Sequence, residues 1–200
     1  MIQPGGKLSS VRLPILTPRM VLRTALPSDR DKLVSGMNDR KVSRTTGQIP
    51  YPYTIGHAEA FILRSRQMVR NGDLLGLIMT DKQTGELLGG IGLREFNWSD
   101  MRATLGYWVA SAKWGNGYAS EATSAICHEA FRRIHLHRID AETLTSNIAS
   151  GIVLSRVGFV REGRRRERIQ KGQKWLDTYL YGLLARDFHP YRWGGVRKTT

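Results

Sequence analysis

The sequence predicts a mixed α/β (α+β) domain folded around one central, mostly antiparallel sheet. Three observations predict it. Strand-like and helix-like stretches follow one another from residue 19 to residue 184 without a linker, a low-complexity tract or an internal repeat. Two strand-like runs in the middle of the chain are separated by short turn-rich segments, which reads as an antiparallel meander. A third run passes through two glycines directly into an alanine-rich helix. Hydrophobic residues make up 40% of the 200-residue chain and charged residues 24%, a globular composition that suits one domain spanning 1–200.

The elements follow in order. Arg19 to Ala25 is the first strand, with Met20 and Leu22 on one face and Arg23 on the other. Pro27-Ser28-Asp29 opens a helix that fades between Gly36 and Asp39, with Asp29 and Asp31 in its first turn. Residues 45–56 carry Pro50, Pro52 and Gly56 and read as loop. His57 to Arg70 is a second helix, ended by Asn71-Gly72. Leu74 to Thr80 and Glu86 to Glu95 are strands joined by the turn Asp81 to Gly85, and Ala103 to Ala110 is the next strand. Tyr118 to Arg133 is a helix, Arg138 to Leu144 a strand and Ala149 to Val157 a helix. Phe159 to Arg168 and Lys174 to Leu184 form a closing strand pair.

No apolar run approaches the roughly 18 residues needed to span a bilayer, and Met1 to Ser10 lacks the apolar core of a signal peptide. A cytoplasmic protein without a membrane partner is expected. Cys127 is the only cysteine, which excludes an internal disulfide, and its apolar neighbours make it a buried filler rather than a nucleophile. No metal is expected. The formal charge of +14 favours polyanionic or phosphorylated partners. Part of it is local. From Arg161 to Trp175, Arg161, Arg164, Arg165, Arg166, Arg168, Lys171 and Lys174 face only Glu162 and Glu167. That stretch is either a solvated hairpin or a binding surface.

The segment Trp114-Gly115-Asn116-Gly117-Tyr118-Ala119, followed by Ser120, carries the chemistry. Glycines before a helix let backbone N–H groups approach an anion, and the helix N-terminus adds free donors and a favourable dipole. A dinucleotide fingerprint would need a third glycine where Ser120 stands. It would also need an acidic residue ending the next strand, whereas Asp140 and Glu142 lie inside it.

The segment resembles the cofactor motif of the GNAT acetyltransferase superfamily in its RimJ/RimL-like branch. Gly106 to Trp108, Trp114 to Ala119 and Glu121-Ala122 fit the branch pattern. So do Asn147 to Ser150 with Val157-Gly158-Phe159 and Glu162-Gly163, the run Trp175-Leu176-Asp177, and the earlier Leu22-Arg23, Pro50 to Thr54 and Phe61-Ile62. The resemblance covers about residues 12–188. It implies a GNAT fold, with a twisted sheet of six to seven strands flanked by about four helices. The strand before the glycine loop would splay from its neighbour to admit the pantetheine arm of acetyl-CoA.

It further implies that the backbones of Tyr107, Trp108 and Val109 pair with that arm and that Trp114 to Ser120 hold its diphosphate. The Val109 N–H would face the thioester oxygen. Asn147 would stand near the pantetheine and Ser150 near the sulfur, where it could protonate the departing thiolate; Ser155 is a further cofactor contact. From the residues alone, Trp108 could equally pack in the core, Asn147 could cap a helix, and Ser155 could lie on a solvated face. Two common family residues are missing: Thr104 stands where relatives carry a glutamate base, and Leu154 where many carry a tyrosine acid. Glu95, Glu142 and Asp177 remain as carboxylates near the sheet, and Glu95 is the candidate base that a Glu95→Gln variant would test. The resemblance implies acetyl transfer to an amine by direct attack, with the α-amine of a ribosomal protein as acceptor. It is also compatible with a small-molecule amine. A ribosome- or RNA-binding module without turnover is the rival of another class, and the protein is expected as a monomer or homodimer.

Overall fold

A computed structural model describes residues 8–47 and 49–190. Its strands are β1 (Ile15–Leu16), β2 (Met20–Arg23), β3 (Leu74–Asp81), β4 (Leu87–Asn97), β5 (Arg102–Val109), β6 (Arg138–Leu144), β7 (Val160–Lys171) and β8 (Lys174–Leu184). Among the described residues the α-helices are α1 (Arg30–Met37), α2 (Arg40–Thr45), α3 (Ile55–Asn71), α4 (Tyr118–Glu129) and α5 (Ile148–Val157). α4 runs on into a π-helical turn at Ala130–Ile134. The expected signal-peptide-free N-terminus, with Gly5, Gly6 and Lys7, lies mostly outside the described residues. Among those residues no helix is long and apolar enough to cross a membrane.

The strands form one sheet in the order β1-β2-β3-β4-β5-β6-β8-β7. All neighbours are antiparallel except β5 and β6, which run parallel. A parallel pair needs a long crossover, and α4 supplies it. Two counts differ from the sequence expectation. The sheet has eight strands rather than six to seven, because Ile15 and Leu16 pair with Leu22 and Val21. A two-residue strand is too short to show an alternation pattern. Among the described residues there are five α-helices rather than about four, because α2 forms where the chain was expected to fade into loop. Asp39 caps it, accepting a hydrogen bond from the Lys41 N–H at 2.7 Å.

Helices cover both faces. On one, Ala122, Ile126 and Cys127 of α4 with Leu154 and Val157 of α5 pack on Leu105, Val109, Ile139 and Ala141. On the other, Leu33 and Met37 of α1 with Ala58 and Ile62 of α3 pack on Ile78 and Leu87, and Trp108 joins them. Each fully buried Leu or Ile contributes about 1.5–3 kcal/mol, so these two layers hold β5 and β6 in fixed places. Cys127 is fully buried and its thiol pKa is pushed up by that burial, as suits a packing residue.

Candidate active site

The β5–β6 ladder ends early. Its pairs run from Arg102↔Arg138 to Leu105↔Ala141 and then stop. Beyond that point β5 stays paired to β4 as far as Val109, and β6 stays paired to β8 as far as Leu144. The two strands therefore diverge into an open V with its apex at Leu105 and Ala141. Hydrogen bonding alternates along an antiparallel strand. Since the Ala110 N–H donates to the Leu88 carbonyl at 2.9 Å, Tyr107 and Val109 turn their N–H groups away from β4 and into the V. The Ala185 N–H donates to the His137 carbonyl at 3.0 Å, which by the same alternation turns the Glu142 backbone into the V from the other side. An extended chain carrying amides is the ligand such edges fit.

The wide end of the V meets the glycine loop. Gly115 and Gly117 have φ of 79° and 78°, a region in which a side chain is strained, and Gly117 is the N-cap of α4. No side chain caps α4, so its first-turn N–H groups point outward as donors. The Ser120 hydroxyl in that turn is buried and has no hydrogen-bond partner among the described residues. The loop is braced from across the sheet. Glu121 is fully buried; it accepts from Arg19 Nε at 2.7 Å and from the Arg19 N–H at 3.0 Å. The same guanidinium donates to the Asn116 carbonyl at 2.8 Å and lies 4.6 Å from the Tyr118 ring centre. The Trp114 indole N–H donates to the Val109 carbonyl at 2.8 Å, tying the loop back to β5.

Polar side chains gather at the V from α5. The Tyr107 hydroxyl is 2.7 Å from the Ser150 hydroxyl. Burial pushes the Tyr107 phenol up to about 12, against the opposing effect of the Ser150 hydrogen bond. Asn147 caps α5, its Oδ1 accepting from the Ser150 N–H at 3.1 Å, while its Nδ2 donates to the Thr45 carbonyl at 3.0 Å. Lys171 of β7 donates to the carbonyls of Ser43 and Thr46. The C-terminal end of α2 is thereby fastened to both α5 and the β7–β8 hairpin.

Residues 19–160 match the family described as acetyltransferase (GNAT) domain. The chain belongs to the GNAT acetyltransferase family. Members use acetyl-CoA, which makes the chain an acetyl-CoA-dependent N-acetyltransferase. It is 30% identical over 177 residues to the uncharacterized N-acetyltransferase YnaD of Bacillus subtilis, covering 88% of this chain and 99% of YnaD. It is 34% identical over 88 residues to the [ribosomal protein uS5]-alanine N-acetyltransferase of Escherichia coli, covering 44% of this chain and 45% of that one. The structure of Mycobacterium smegmatis RimJ in complex with CoA-disulfide superposes with a TM-score of 0.75 at 23% identity, covering 84% of this chain and 82% of that one. That likeness is one of fold.

Within this GNAT domain Tyr107, Val109, Asn147, Ser150 and the segment Trp114 to Ser120 converge on the V and its mouth. Trp108 points to the opposite face, where its ring packs between Gly36 and Gly90. Ser155 is exposed on the last turns of α5, and among the described residues no hydrogen bond ties its side chain to the V. Glu95 does not join the cluster. It sits in a bulge of β4 at φ 55°, level with the closed part of the β5–β6 ladder, and its exposed carboxylate pairs with Arg94. Asp177 accepts from Arg164 and from the Glu167 N–H at 2.7 Å, a structural task in β7. Asp140 and Glu142 flank Ala141 at the apex; Asp140 pairs with Arg138 and Arg102, and Glu142 accepts from the Thr178 hydroxyl. Reasoning from sequence missed Arg19, whose partner Glu121 lies 102 positions away. The one available signal was a glutamate in the first turn of an otherwise small and apolar helix.

Proposed function

We propose that the chain acetylates the α-amine of a protein N-terminus, with acetyl-CoA lying in the V between β5 and β6. The unpaired strand edges beyond Leu105 and Ala141 carry this reading. The N–H groups of Tyr107 and Val109 would pair with the pantetheine amides and face the thioester oxygen, where preorganised donors stabilise growing negative charge. The free N–H groups around Gly115, Gly117 and Ser120 suit a diphosphate, which the helix dipole also favours.

Acetyl-CoA supplies an acyl carbon activated as a thioester. The acceptor amine attacks it directly, so no enzyme nucleophile is required. Ser150 gives its hydroxyl proton to the departing sulfur while Tyr107, 2.7 Å away, holds that hydroxyl in place; water takes the proton shed by the attacking amine and returns one to Ser150. Asn147 fixes Ser150 by capping the turn on which it stands. No step runs through Glu95.

Two facts support a ribosomal protein as acceptor. The chain shares 34% identity over 88 residues with an enzyme named for alanine of ribosomal protein uS5. Its +14 charge also suits work beside ribosomal RNA. The test is release of CoA thiol on mixing acetyl-CoA with N-terminal peptides of ribosomal proteins, polyamines or aminoglycosides. Turnover on peptides with a free α-amine, lost when that amine is blocked, is the expected result. Turnover on polyamines or aminoglycosides alone would overturn the acceptor class. Failure to bind acetyl-CoA at micromolar concentration would overturn the placement in the V.

A further inference from the structure

β7 is the outer strand of the sheet, and halfway along it the pairing with β8 breaks. Arg165 opposes Thr178 and Ile169 opposes Leu176, so the chain between them is longer on β7 than on β8. The excess forms a bulge with Glu167 at φ 51°. Asp177 pins it by accepting from the Glu167 N–H at 2.7 Å and from Arg164 Nε at 2.8 Å. A bulge re-aims the side chains around it. Here it turns Arg165 and Arg168 back over the sheet towards Glu142, at the apex of the V. Together with Arg166, Glu167 and Asp177 they line a cleft of about 700 Å³.

The two guanidiniums meet Glu142 there only as loose ion pairs. Arg165 stands 3.7 Å and Arg168 3.6 Å from the Glu142 carboxylate, beyond hydrogen-bond distance in both cases. The nearer Glu142 oxygen already accepts from the Thr178 hydroxyl at 2.5 Å. Among the described residues neither the Arg165 nor the Arg168 side chain donates a hydrogen bond, and each is about half exposed (49% and 52%). Two planar donor forks therefore share one carboxylate through loose ion pairs and keep hydrogen-bonding capacity to spare, one residue past the last β5–β6 pair. Arginine forks match carboxylates and phosphates in bidentate geometry.

Building on the acetyl-transfer reading above, we infer that Arg165 and Arg168 form an acceptor subsite for a carboxylate close to the reacting amine. The preferred acceptor is a peptide whose second or third residue is Asp or Glu. Glu142 divides the labour, keeping the two guanidiniums apart and oriented until the substrate carboxylate arrives. A polycationic amine meets repulsion in the same cleft, which makes it a poor acceptor.

The experiment compares two peptides with the same N-terminal residue, one with Asp-Glu and one with Lys-Lys at the next two positions, with acetyl-CoA saturating. The acidic peptide is expected to show kcat/KM about tenfold or more above the basic one, mostly through KM. The advantage should shrink at high salt, since these charges are exposed to screening. Arg165→Gln and Arg168→Gln should each erode the preference, and the Arg165→Glu/Arg168→Glu double variant should invert it. Acetyl-CoA affinity and the unfolding midpoint serve as checks; if the double variant fails to fold, the two glutamine variants decide. Equal use of both peptides, or a preference that survives both glutamine variants, overturns this inference and leaves the acetyltransferase reading intact. Inhibition by a short RNA with no distinction between the peptides overturns it in favour of a nucleic-acid surface. Transfer to no amine, with acetyl-CoA still bound, overturns the function and the subsite together.

Discussion

The hydroxyl of Tyr107 lies 2.7 Å from the hydroxyl of Ser150, linking β5 to α5 across the V. If that pair delivers the proton to the departing thiolate, Ser150→Ala should lower kcat by roughly 100-fold and leave the KM for acetyl-CoA nearly unchanged. Tyr107→Phe should cost less, because Ser150 can still be reprotonated by water. Steady-state kinetics on both variants checks this. An unchanged kcat in Ser150→Ala would remove the serine from the reaction.

The braced loop makes a stability prediction. Glu121 is fully buried and its ion-pair partner is Arg19, so Arg19→Ala leaves a carboxylate in the core with the backbone N–H of residue 19 but no cation to balance it. Breaking such a pair costs about 3–5 kcal/mol. Urea unfolding should show a loss of that order. Acetyl-CoA affinity should fall as well, because the same guanidinium holds the Asn116 carbonyl. A variant as stable as the parent would mean that water or another group satisfies Glu121.

Gly115 gives a sharper test of the loop. A methyl group there meets nothing within 4 Å, yet the φ of 79° strains any side chain. Gly115→Ala should therefore destabilise the fold by only about 1 kcal/mol. If the loop must keep this conformation to present its N–H groups, acetyl-CoA affinity should fall by about tenfold. Calorimetric titration and thermal unfolding, measured together, separate the two effects.

Alkaline stability should carry a tyrosine signature. Burial pushes the phenols of Tyr53 and Tyr107 up to about 12. The ordinary value is near 10. Between about pH 10 and 12 the unfolded chain releases these protons while the folded chain retains them, so their contribution, fully present below pH 10, is lost as pH rises through that window. Tyr53→Phe should flatten the decline of unfolding free energy over the same range. A decline identical to that of the parent would contradict the buried assignment.

Much of the fold was readable because its signals are local. Alternation marks β2 and β6, apolar runs between turn-rich segments mark β3 and β5, glycine marks the start of α4, and Asn147 marks the start of α5. β1 and α2 escaped because two and six residues carry too little pattern. The loop and the facing strand were legible as a motif, since their chemistry lies in the backbone of a continuous segment. The resemblance implied that these strands splay, but the point at which the β5–β6 ladder opens was not legible, because it is set by pairing with β4 and β8. Long-range partnerships were equally hidden. Nothing near Glu121 points to Arg19, and nothing near Asp177 distinguishes a base from the clamp of a bulge. Glu95 shows the same limit: a carboxylate at a strand end reads alike whether the strand presents it to the reaction or to solvent.

The most direct test is a crystal structure of the chain with acetyl-CoA bound. The expected result is the pantetheine arm running between Tyr107–Val109 and Glu142, with the diphosphate on the N–H groups around Gly115 to Ser120. Binding at another surface, with β5 and β6 paired past Leu105 and Ala141, would contradict it.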